Sequence, residues 1–207
     1  MSSAPAVKHS FKEQMLQARE DAIVQAALRL LAHKGFETMT VDEVAADVGI
    51  AKASLYKHFP SKEELAAAAM LRLLRQAQAF LQGQPADHGP LDKLQAAVRW
   101  AMALQLAGDM PALPSRNSSL RAALMAHPAC LEALAQIGEL LGGWIAAAQQ
   151  QGRLNPRLSA TAVLCILCAR ACDPALEFLQ AGGQLSDADT IELVLGACFE
   201  GLSARQP

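Results

Sequence analysis

Residues 40–65 read TVDEVAADVGIAKASLYKHFPSKEEL and carry more structural information than any other stretch of this 207-residue chain. Thr40 followed three residues later by Glu43 is a capping box, in which the hydroxyl and the carboxylate each accept a hydrogen bond from the other residue's backbone N–H. Apolar residues at helical spacing follow, and Gly49 stands where a left-handed residue can end a helix at little cost. The segment therefore predicts a short helix, a glycine turn and the start of a second helix.

The second helix is predicted to run from about Lys52 to His58 and to have two different faces. Leu55 and Phe59 are four residues apart and are predicted to point inward. The outward face is predicted to consist of hydrogen-bond donors without a carboxylate, namely Lys52, Ser54, Tyr56, Lys57 and His58. Such a face suits a polyanion, because lysines and hydroxyls contact phosphates and long polar side chains reach base edges in the major groove. An ordinary helical hairpin with a solvated polar face is the competing interpretation.

Both flanks favour the nucleic-acid interpretation. Residues 19–33 place apolar side chains on one helical face and are followed by Gly35, which predicts a supporting helix. Ser61 and Glu64 predict a second capping box at the head of a long helix that ends near residue 82. Lys62 lies at the N-terminus of that helix, where unbonded N–H groups can contact a phosphate. Three helices around a tight turn are a helix-turn-helix.

The combined pattern resembles the DNA-binding domain of the TetR family of one-component transcriptional regulators over about residues 19–70. The matching elements are Gly35-Phe36, Thr40, Glu43-Val44-Ala45, Gly49-Ile50, Leu55-Tyr56-Lys57-His58-Phe59 and Ser61-Lys62-Glu63-Glu64-Leu65. This resemblance implies that Lys52 and Ala53 read bases. It implies contacts to the DNA backbone from Thr40, Ser54, Tyr56, Lys57, His58 and Lys62. Ala51 stands where the family often has Ser or Thr, so the recognition helix is predicted to begin with a weaker cap.

Composition narrows the fold class and the compartment. The chain is rich in Ala and Leu and poor in aromatic residues, which favours an all-α fold. Its formal net charge of −2 means that DNA binding must depend on the local placement of charge. The first ten residues lack the apolar run of a signal peptide, and the longest apolar candidate, residues 158–169, is too short to span a bilayer. With five cysteines, an odd number, the sequence predicts a cytoplasmic protein with no membrane segment.

The rest of the chain predicts further helices and a three-part organisation. The parts are a flexible arm over residues 1–15, a helix-turn-helix domain over 16–62, and a helical effector-binding and dimerisation domain over 63–207. Helices are predicted at about 91–106, 118–126, 128–151, 157–181 with an interruption at Asp173-Pro174, and 186–203.

The last two of these helices have more apolar surface than a small domain can hide, which predicts a subunit interface. The resemblance agrees, because the family typically dimerises through its last two helices. Such a dimer would face a palindromic operator in double-stranded DNA.

The middle helices are predicted to hold a small-molecule effector, as the resemblance implies. The candidate wall is Trp100, Leu104, Met110, Leu113, Met125, Ile137, Trp144 and Cys168, with Arg116, Arg121 and Gln105 as polar contacts. Soft Met-rich walls suit a hydrophobic ligand. Ordinary core packing is the competing interpretation for each of these residues.

The cysteines offer a second hypothesis. Cys165, Cys168 and Cys172 recur at helical spacing on one face, and Cys198 can approach from the last helix. Thiolates bind soft metals and respond to oxidants, so the set could serve a metal or redox sensor. Packing as small buried hydrophobes is the alternative.

Together these features predict a ligand-responsive, sequence-specific DNA-binding regulator, most simply a repressor that a small hydrophobic effector releases from its operator. No cofactor is predicted. The sequence contains no phosphate loop, nucleophile elbow, HExxH or paired Cys/His ligands, and we therefore expect no enzyme activity. A cysteine-based sensing regulator and a helical interaction module that does not bind DNA remain the alternatives.

Overall fold

The computed structural model of the protein describes residues 11–111, 118–171 and 175–203. Within these ranges the chain forms ten α-helices and no β-strand, which confirms the all-α fold class. No helix in these ranges is both long and apolar enough to cross a bilayer. Four predicted features lie outside the described residues: Leu113, Arg116, Cys172 and the break at Asp173-Pro174.

The first helix, α1, spans Phe11–Thr38. It begins earlier than predicted, so residues 11–15 belong to a helix and not to a flexible arm. Residues 1–10 lie outside the described residues. Gly35 has the backbone angles φ 74° and ψ 168°, and it kinks α1 where the sequence predicted an end. A residue with a Cβ would be strained at this positive φ, which explains why glycine is the residue that turns the chain here.

Two short helices follow, α2 at Val41–Val48 and α3 at Lys52–Leu55. The prediction of a second helix reaching His58 is wrong in its length. Residues 56–58 continue as turns whose N–H groups bond mostly three residues back, as in Lys57 N to Ser54 O at 3.2 Å. A tighter turn of this kind is common where a helix ends.

Four helices form the middle of the chain: α4 at Lys62–Gln82, α5 at Pro90–Leu106, α6 at Ser119–Ala126 and α7 at Pro128–Gln150. Each lies close to its predicted position. Ser61 caps α4 by accepting a hydrogen bond from the Glu64 backbone N–H at 3.0 Å. Proline at the first position opens both α5 and α7, where a missing N–H costs nothing.

Three helices end the chain: α8 at Ala160–Ala171, α9 at Ala175–Ala181 and α10 at Asp187–Leu202. The predicted start of α8 at Arg157 is three residues too early. Asn155 accepts a hydrogen bond from the Arg157 N–H at 2.9 Å, and this local turn holds the chain before the helix begins. Ser186 caps α10 as predicted, accepting from the Asp189 N–H at 3.1 Å.

Two large apolar clusters organise the chain. The first lies between α1, α2, α3 and α4, and it includes Ile23, Val44, Leu55 and Leu65, all fully buried. The second lies between α5, α7, α8, α9 and α10, and its centre includes Leu94, Ile145, Val163 and Leu176. A smaller cluster packs Leu71 of α4 against Cys130 and Ala133 of α7. Helix α4 therefore joins the N-terminal unit to the helices that follow.

Candidate nucleic-acid interface

The turn between α2 and α3 is built from three local devices. The Thr40 hydroxyl accepts from the Glu43 N–H at 3.2 Å, and the Glu43 carboxylate accepts from the Thr40 N–H at 3.0 Å. Gly49 ends α2 at φ 72°, a left-handed conformation suited to glycine. The Ile50 N–H then donates to the Ala45 carbonyl at 2.9 Å, and the small Ala45 side chain is 3% exposed beneath the turn. These contacts set the angle at which α3 leaves α2.

We call residues 51–58 the recognition segment. Ala51 provides no side-chain cap for α3, as the sequence predicted. The segment is held from below by Leu55, which is fully buried in the first cluster. Its outer surface carries Lys52, Ala53 and Lys57, with Tyr56 at 42% exposed. Ser54 is half-buried at its edge.

The prediction that His58 faces outward is wrong. Its side chain is only 8% exposed, and its Nδ1 atom lies 3.1 Å from Oε1 of Glu20 on α1. His58 therefore anchors the end of the recognition segment to the supporting helix. Glu20 is 38 residues earlier in the chain. No local sequence pattern reports a partner at that separation, which is why the contact was missed.

Acidic residues of α2 accompany most of the nearby cations. Lys52 Nζ lies 2.8 Å from Asp42 Oδ2, and this carboxylate raises the pKa of Lys52. Two further pairs join α1 to the same helix, Lys34 with Glu43 at 2.5 Å and Arg29 with Asp47 at 2.6 Å. All these side chains are well exposed, so each pair contributes little to stability and can exchange for a phosphate at low cost.

Lys57 and Lys62, at the end of the recognition segment and beside it, differ in their contacts. Lys57 is exposed and forms no ion pair with any residue that the structure describes. It is therefore available to an external anion. Lys62 instead donates to the Glu37 carbonyl at 3.2 Å, and its ammonium lies 4.4 Å from the centre of the Phe36 ring. These contacts fasten the start of α4 to the end of α1 and place the charge beside the recognition segment.

A short helix held by a capped helix and a glycine turn, with a long supporting helix behind it, defines a helix-turn-helix protein. Residues 23–69 match the sequence model of the family described as "Bacterial regulatory proteins, tetR family". This match covers less than a quarter of the chain. The whole fold is similar to that of a solved structure described as a putative TetR-family transcriptional regulator from Rhodococcus sp., at 20% identity and a TM-score of 0.63, over 89% of this chain and 98% of that one.

Curated relatives match mainly the N-terminal unit. An uncharacterized HTH-type transcriptional regulator of Mycobacterium tuberculosis is 43% identical over 58 residues, which is 28% of this chain and 29% of that protein. The biofilm operon negative transcriptional regulator IcaR of Staphylococcus epidermidis is 41% identical over 46 residues, 22% of this chain and 25% of that protein. The chain thus matches less than a third of the length of either relative.

Solved structures match over nearly the whole chain. The transcriptional regulator FadR of Bacillus subtilis, solved in complex with stearoyl-CoA, is 18% identical with a TM-score of 0.68. The alignment covers 88% of this chain and 98% of that one. At this identity the match establishes a shared fold.

The candidate effector residues do not form one wall. Trp100 of α5 stacks on Phe80 of α4 with ring centroids 5.0 Å apart, whereas Leu104 and Met110 pack against the first cluster. The predicted positions of Met125 and Cys168 in a cavity wall are wrong, because Met125 is 56% exposed on α6 and Cys168 is exposed on α8. Arg121 is also exposed. Sequence spacing identified apolar helical positions, but it could not tell which helix faces they share.

Trp144 has a different setting. It packs against the second cluster, and Lys93 Nζ lies 5.9 Å from the centre of its ring. Trp100 thus lies on α5, and Trp144 lies on α7 beside Lys93 of α5. Ile137 and Gln105 are half-buried.

The predicted cysteine set has mixed surroundings. Cys165 and Cys168 are exposed on α8, and Cys198 of α10 is half-buried and lines a groove between α8, α9 and α10. Burial raises the pKa of the Cys198 thiol, which lowers its reactivity. The described residues contain no cluster of three or more His, Cys, Asp or Glu side chains placed to hold a metal ion.

Proposed function

We propose that the protein is a dimeric transcriptional regulator that binds double-stranded DNA through the recognition segment and is released by a small hydrophobic effector. The observation that carries this proposal is the exposed set Lys52, Ala53, Tyr56 and Lys57 on a segment anchored by Leu55 and His58. A buried support with exposed hydrogen-bond donors on its outer side suits insertion into the major groove. Lys52 and Ala53 would read bases, and Thr40, Ser54, Tyr56, Lys57 and Lys62 would contact the backbone.

A dimer is supported by the apolar surface of the last helices. Ile166 of α8, Phe178 of α9 and Leu193 of α10 are 38%, 78% and 54% exposed. A shallow groove of about 440 Å³ runs between these three helices. Pairing two copies through this face would cover it, and a two-fold axis would set the recognition segments roughly 34–36 Å apart, one DNA turn. A palindromic operator follows from that symmetry.

Effector control is supported by the position of α4. Its first turn contacts the end of α1 through Lys62, and its last turns contact α5 through the Phe80–Trp100 stack. A ligand that bound between α4, α5 and α7 would favour one arrangement of α4, and it would shift the population only by its differential affinity for the two states. The FadR relative was solved with stearoyl-CoA, and IcaR is a negative regulator; both are compatible with a repressor and an apolar effector.

The test is a selection of genomic DNA fragments by the purified protein, followed by sequencing. We expect one enriched near-palindrome, whose binding falls steeply with salt. Tyr56→Ala and Lys57→Ala are then expected to weaken binding to that fragment by about tenfold or more, since each change occurs twice in a dimer.

Arg153→Ala is the matched control, because Arg153 is an exposed cation in the turn after α7, far from the recognition segment. It should leave DNA affinity unchanged, and all three variants should keep the thermal stability of the natural protein. Unchanged affinity in both Tyr56→Ala and Lys57→Ala would exclude the recognition segment as the reading surface. No enrichment at low salt would contradict DNA binding itself.

A further inference from the structure

A cleft lies between the N-terminal unit and the helices that follow it. It has a volume of about 470 Å³, enough for a small metabolite. One wall is α1 and the opposite wall is α4. Phe59, the residue after the recognition segment, lies at one end, and His127, between α6 and α7, lies at the other. Its polar and apolar lining includes Glu20, Asp21, Phe59, Leu71, Arg72, Arg75 and His127. We call it the junction cleft.

The two charged walls of the junction cleft differ in how well they are satisfied. On the α1 wall, Glu20 faces the His58 ring at 3.1 Å, and Asp21 lies 3.5 Å from Arg72 Nη1. Both carboxylates therefore have a partner. On the α4 wall, Arg75 forms no hydrogen bond or ion pair with the residues that the structure describes. The arginines of the cleft therefore have fewer hydrogen-bond and ion-pair partners than its carboxylates do.

Two buried nitrogen atoms point to the same imbalance. Arg72 Nε and His127 Nδ1 are shielded from solvent and have no hydrogen-bond partner among the described residues. A buried donor without an acceptor costs about 1–3 kcal/mol, and more when the group is charged. Arg72 Nε can only donate, so the cleft lacks an acceptor at this atom, and an anionic acceptor would satisfy it best; His127 Nδ1 adds a second donor in the tautomer that carries the proton on that nitrogen. A guanidinium presents several donors in one plane, which matches a carboxylate or a phosphate.

The remaining lining is apolar. Val24 of α1, Phe59 and the α4 side chains Ala68, Leu71 and Ala79 contribute hydrocarbon surface. An inorganic anion would leave this surface in contact with water. A molecule with a hydrocarbon part would cover it at a gain of roughly 25 cal/mol per Å² of apolar area removed from water.

We propose that the junction cleft binds a small organic anion, with its carboxylate or phosphate against Arg72 and Arg75 and its hydrocarbon part against Phe59 and Leu71. The site is separate from the region around Trp100 and Trp144 proposed above for the effector. Phe59 directly follows the recognition segment, and Glu20 anchors that segment through His58. Occupancy of the cleft is therefore coupled to the position of the recognition segment. This last step rests on the proposed DNA-binding function, whereas ligand binding does not.

The test measures binding of octanoate and octyl phosphate to the full chain by isothermal titration calorimetry, with octanol as the neutral probe and inorganic phosphate as the anion without a chain. We expect both organic anions to bind more tightly than octanol and more tightly than inorganic phosphate. Arg75→Gln is expected to weaken organic-anion binding by about tenfold, because it removes the charge and keeps an exposed polar side chain on α4.

Arg153→Gln is the matched control, an exposed arginine outside the cleft whose replacement should leave binding unchanged. Equal binding of octanol and octanoate, equal binding of inorganic phosphate and octyl phosphate, or unchanged affinity in Arg75→Gln would each overturn the proposal. Failure to bind either organic anion would overturn it as well.

The coupling is tested separately with the selected DNA fragment. Because coupling between two ligands is reciprocal, octanoate should change DNA affinity by the same factor by which DNA changes octanoate affinity. Octanoate binding without any DNA binding would disprove the proposed function and leave the anion site standing. Independent binding of the two would disprove the coupling alone.

Discussion

The helix-turn-helix unit and the C-terminal helices are both helical, yet they are completed in different ways. In the first, α2 is bounded by the Thr40 cap and Gly49, and Leu55 and Val44 are fully buried within the same chain. In the second, α8 and α10 bury Val163 and Leu195 but leave Ile166 and Leu193 at 38% and 54% exposed. The core of the N-terminal unit is completed by neighbouring helices of the same chain, such as α6 through Leu120, whereas the C-terminal helices present an apolar face that lacks a cover within the described chain. This difference is what the proposed dimer would explain, since a second copy would cover the apolar face of the C-terminal helices.

The largest effect should follow from placing a charge on the exposed apolar face of α8, α9 and α10. Leu193→Glu is expected to turn a dimer into a monomer, because each copy would bury an uncompensated carboxylate at about 3–5 kcal/mol. Sedimentation velocity at several concentrations measures this. Leu134→Glu on α7 is the control, since Leu134 is 46% exposed and lies outside the proposed interface. Dimers in both variants would place the interface elsewhere, and a monomeric natural protein would refute the comparison.

A large loss of folding stability should follow from Leu55→Ala. Leu55 is fully buried beneath the recognition segment, and removing such a side chain typically costs about 2–5 kcal/mol. Urea unfolding measures the loss. Leu131→Ala is the control on α7, where the side chain is 39% exposed and the cost should stay below about 0.5 kcal/mol. Similar losses in the two variants would show that the N-terminal core is not completed within the chain in the way described above.

Removal of a helix cap should have a smaller effect, and it can be compared between the two regions. Thr40→Ala and Ser186→Ala each delete a hydroxyl that accepts a backbone N–H, at a cost of about 1 kcal/mol. Hydrogen exchange should report wider fraying in α2, which has 8 residues, than in α10, which has 16. Ala51→Ser should act in the opposite direction by adding the cap that α3 lacks. Equal protection of α2 in the natural protein and in Thr40→Ala would refute the role of the cap.

The smallest expected effect is on how folding stability depends on pH in the acidic range. The Lys34 ammonium and the Thr40 cap hold the pKa of Glu43 below its ordinary value of 4.5. A carboxylate whose pKa is depressed by folding stabilises the protein above its unfolded-state pKa, and that stabilisation is lost as the pH falls through the folded-state value. The melting temperature of Glu43→Gln should therefore fall less steeply between about pH 5 and pH 3 than that of the natural protein.

Glu192 provides the comparison in the C-terminal helices. Arg99 binds it through two nitrogen atoms, at 2.5 and 3.1 Å, and holds its pKa below 4.5 as well. Carbon-detected NMR titration should show both carboxylates protonating below the ordinary value. A Glu43 that titrates normally would mean that the Lys34 pair does not persist in solution.

The helices themselves were largely predictable. Thr40, Gly49, Ser61, Pro128 and Ser186 each mark a boundary within a residue or two of where the structure has it. These signals act over one turn of chain, so they depend little on what packs nearby. The extents of α1 and α3 were less predictable, because neither limit carries a strong cap signal in the sequence. The structure has helix from Phe11 onward, ahead of the predicted start, and it ends α3 at Leu55.

The candidate sites were predicted unequally. The exposure of Lys52, Tyr56 and Lys57 followed from helical spacing, but the burial of His58 depended on Glu20 on another helix. The effector wall could not be assembled from spacing, because Trp100, Met125 and Cys168 belong to helices whose faces are oriented by packing. The junction cleft had no sequence signal at all. Arg72 and Arg75 share one helix, but the cleft that they line exists only when α1 lies opposite α4.

The sequence alone determined an all-helical chain, the helix-turn-helix with its caps and glycine turn, and the surplus of apolar surface near the C-terminus. Each of these features depends on composition or on interactions between residues a few positions apart. Composition and short-range spacing are both visible in the sequence. The tertiary structure decided which cations are paired, that His58 is anchored inward, that the candidate effector residues are dispersed, and that a cleft forms between α1 and α4. These depend on side chains of different helices, brought together from 9 to about a hundred positions apart, where sequence spacing carries no geometric information.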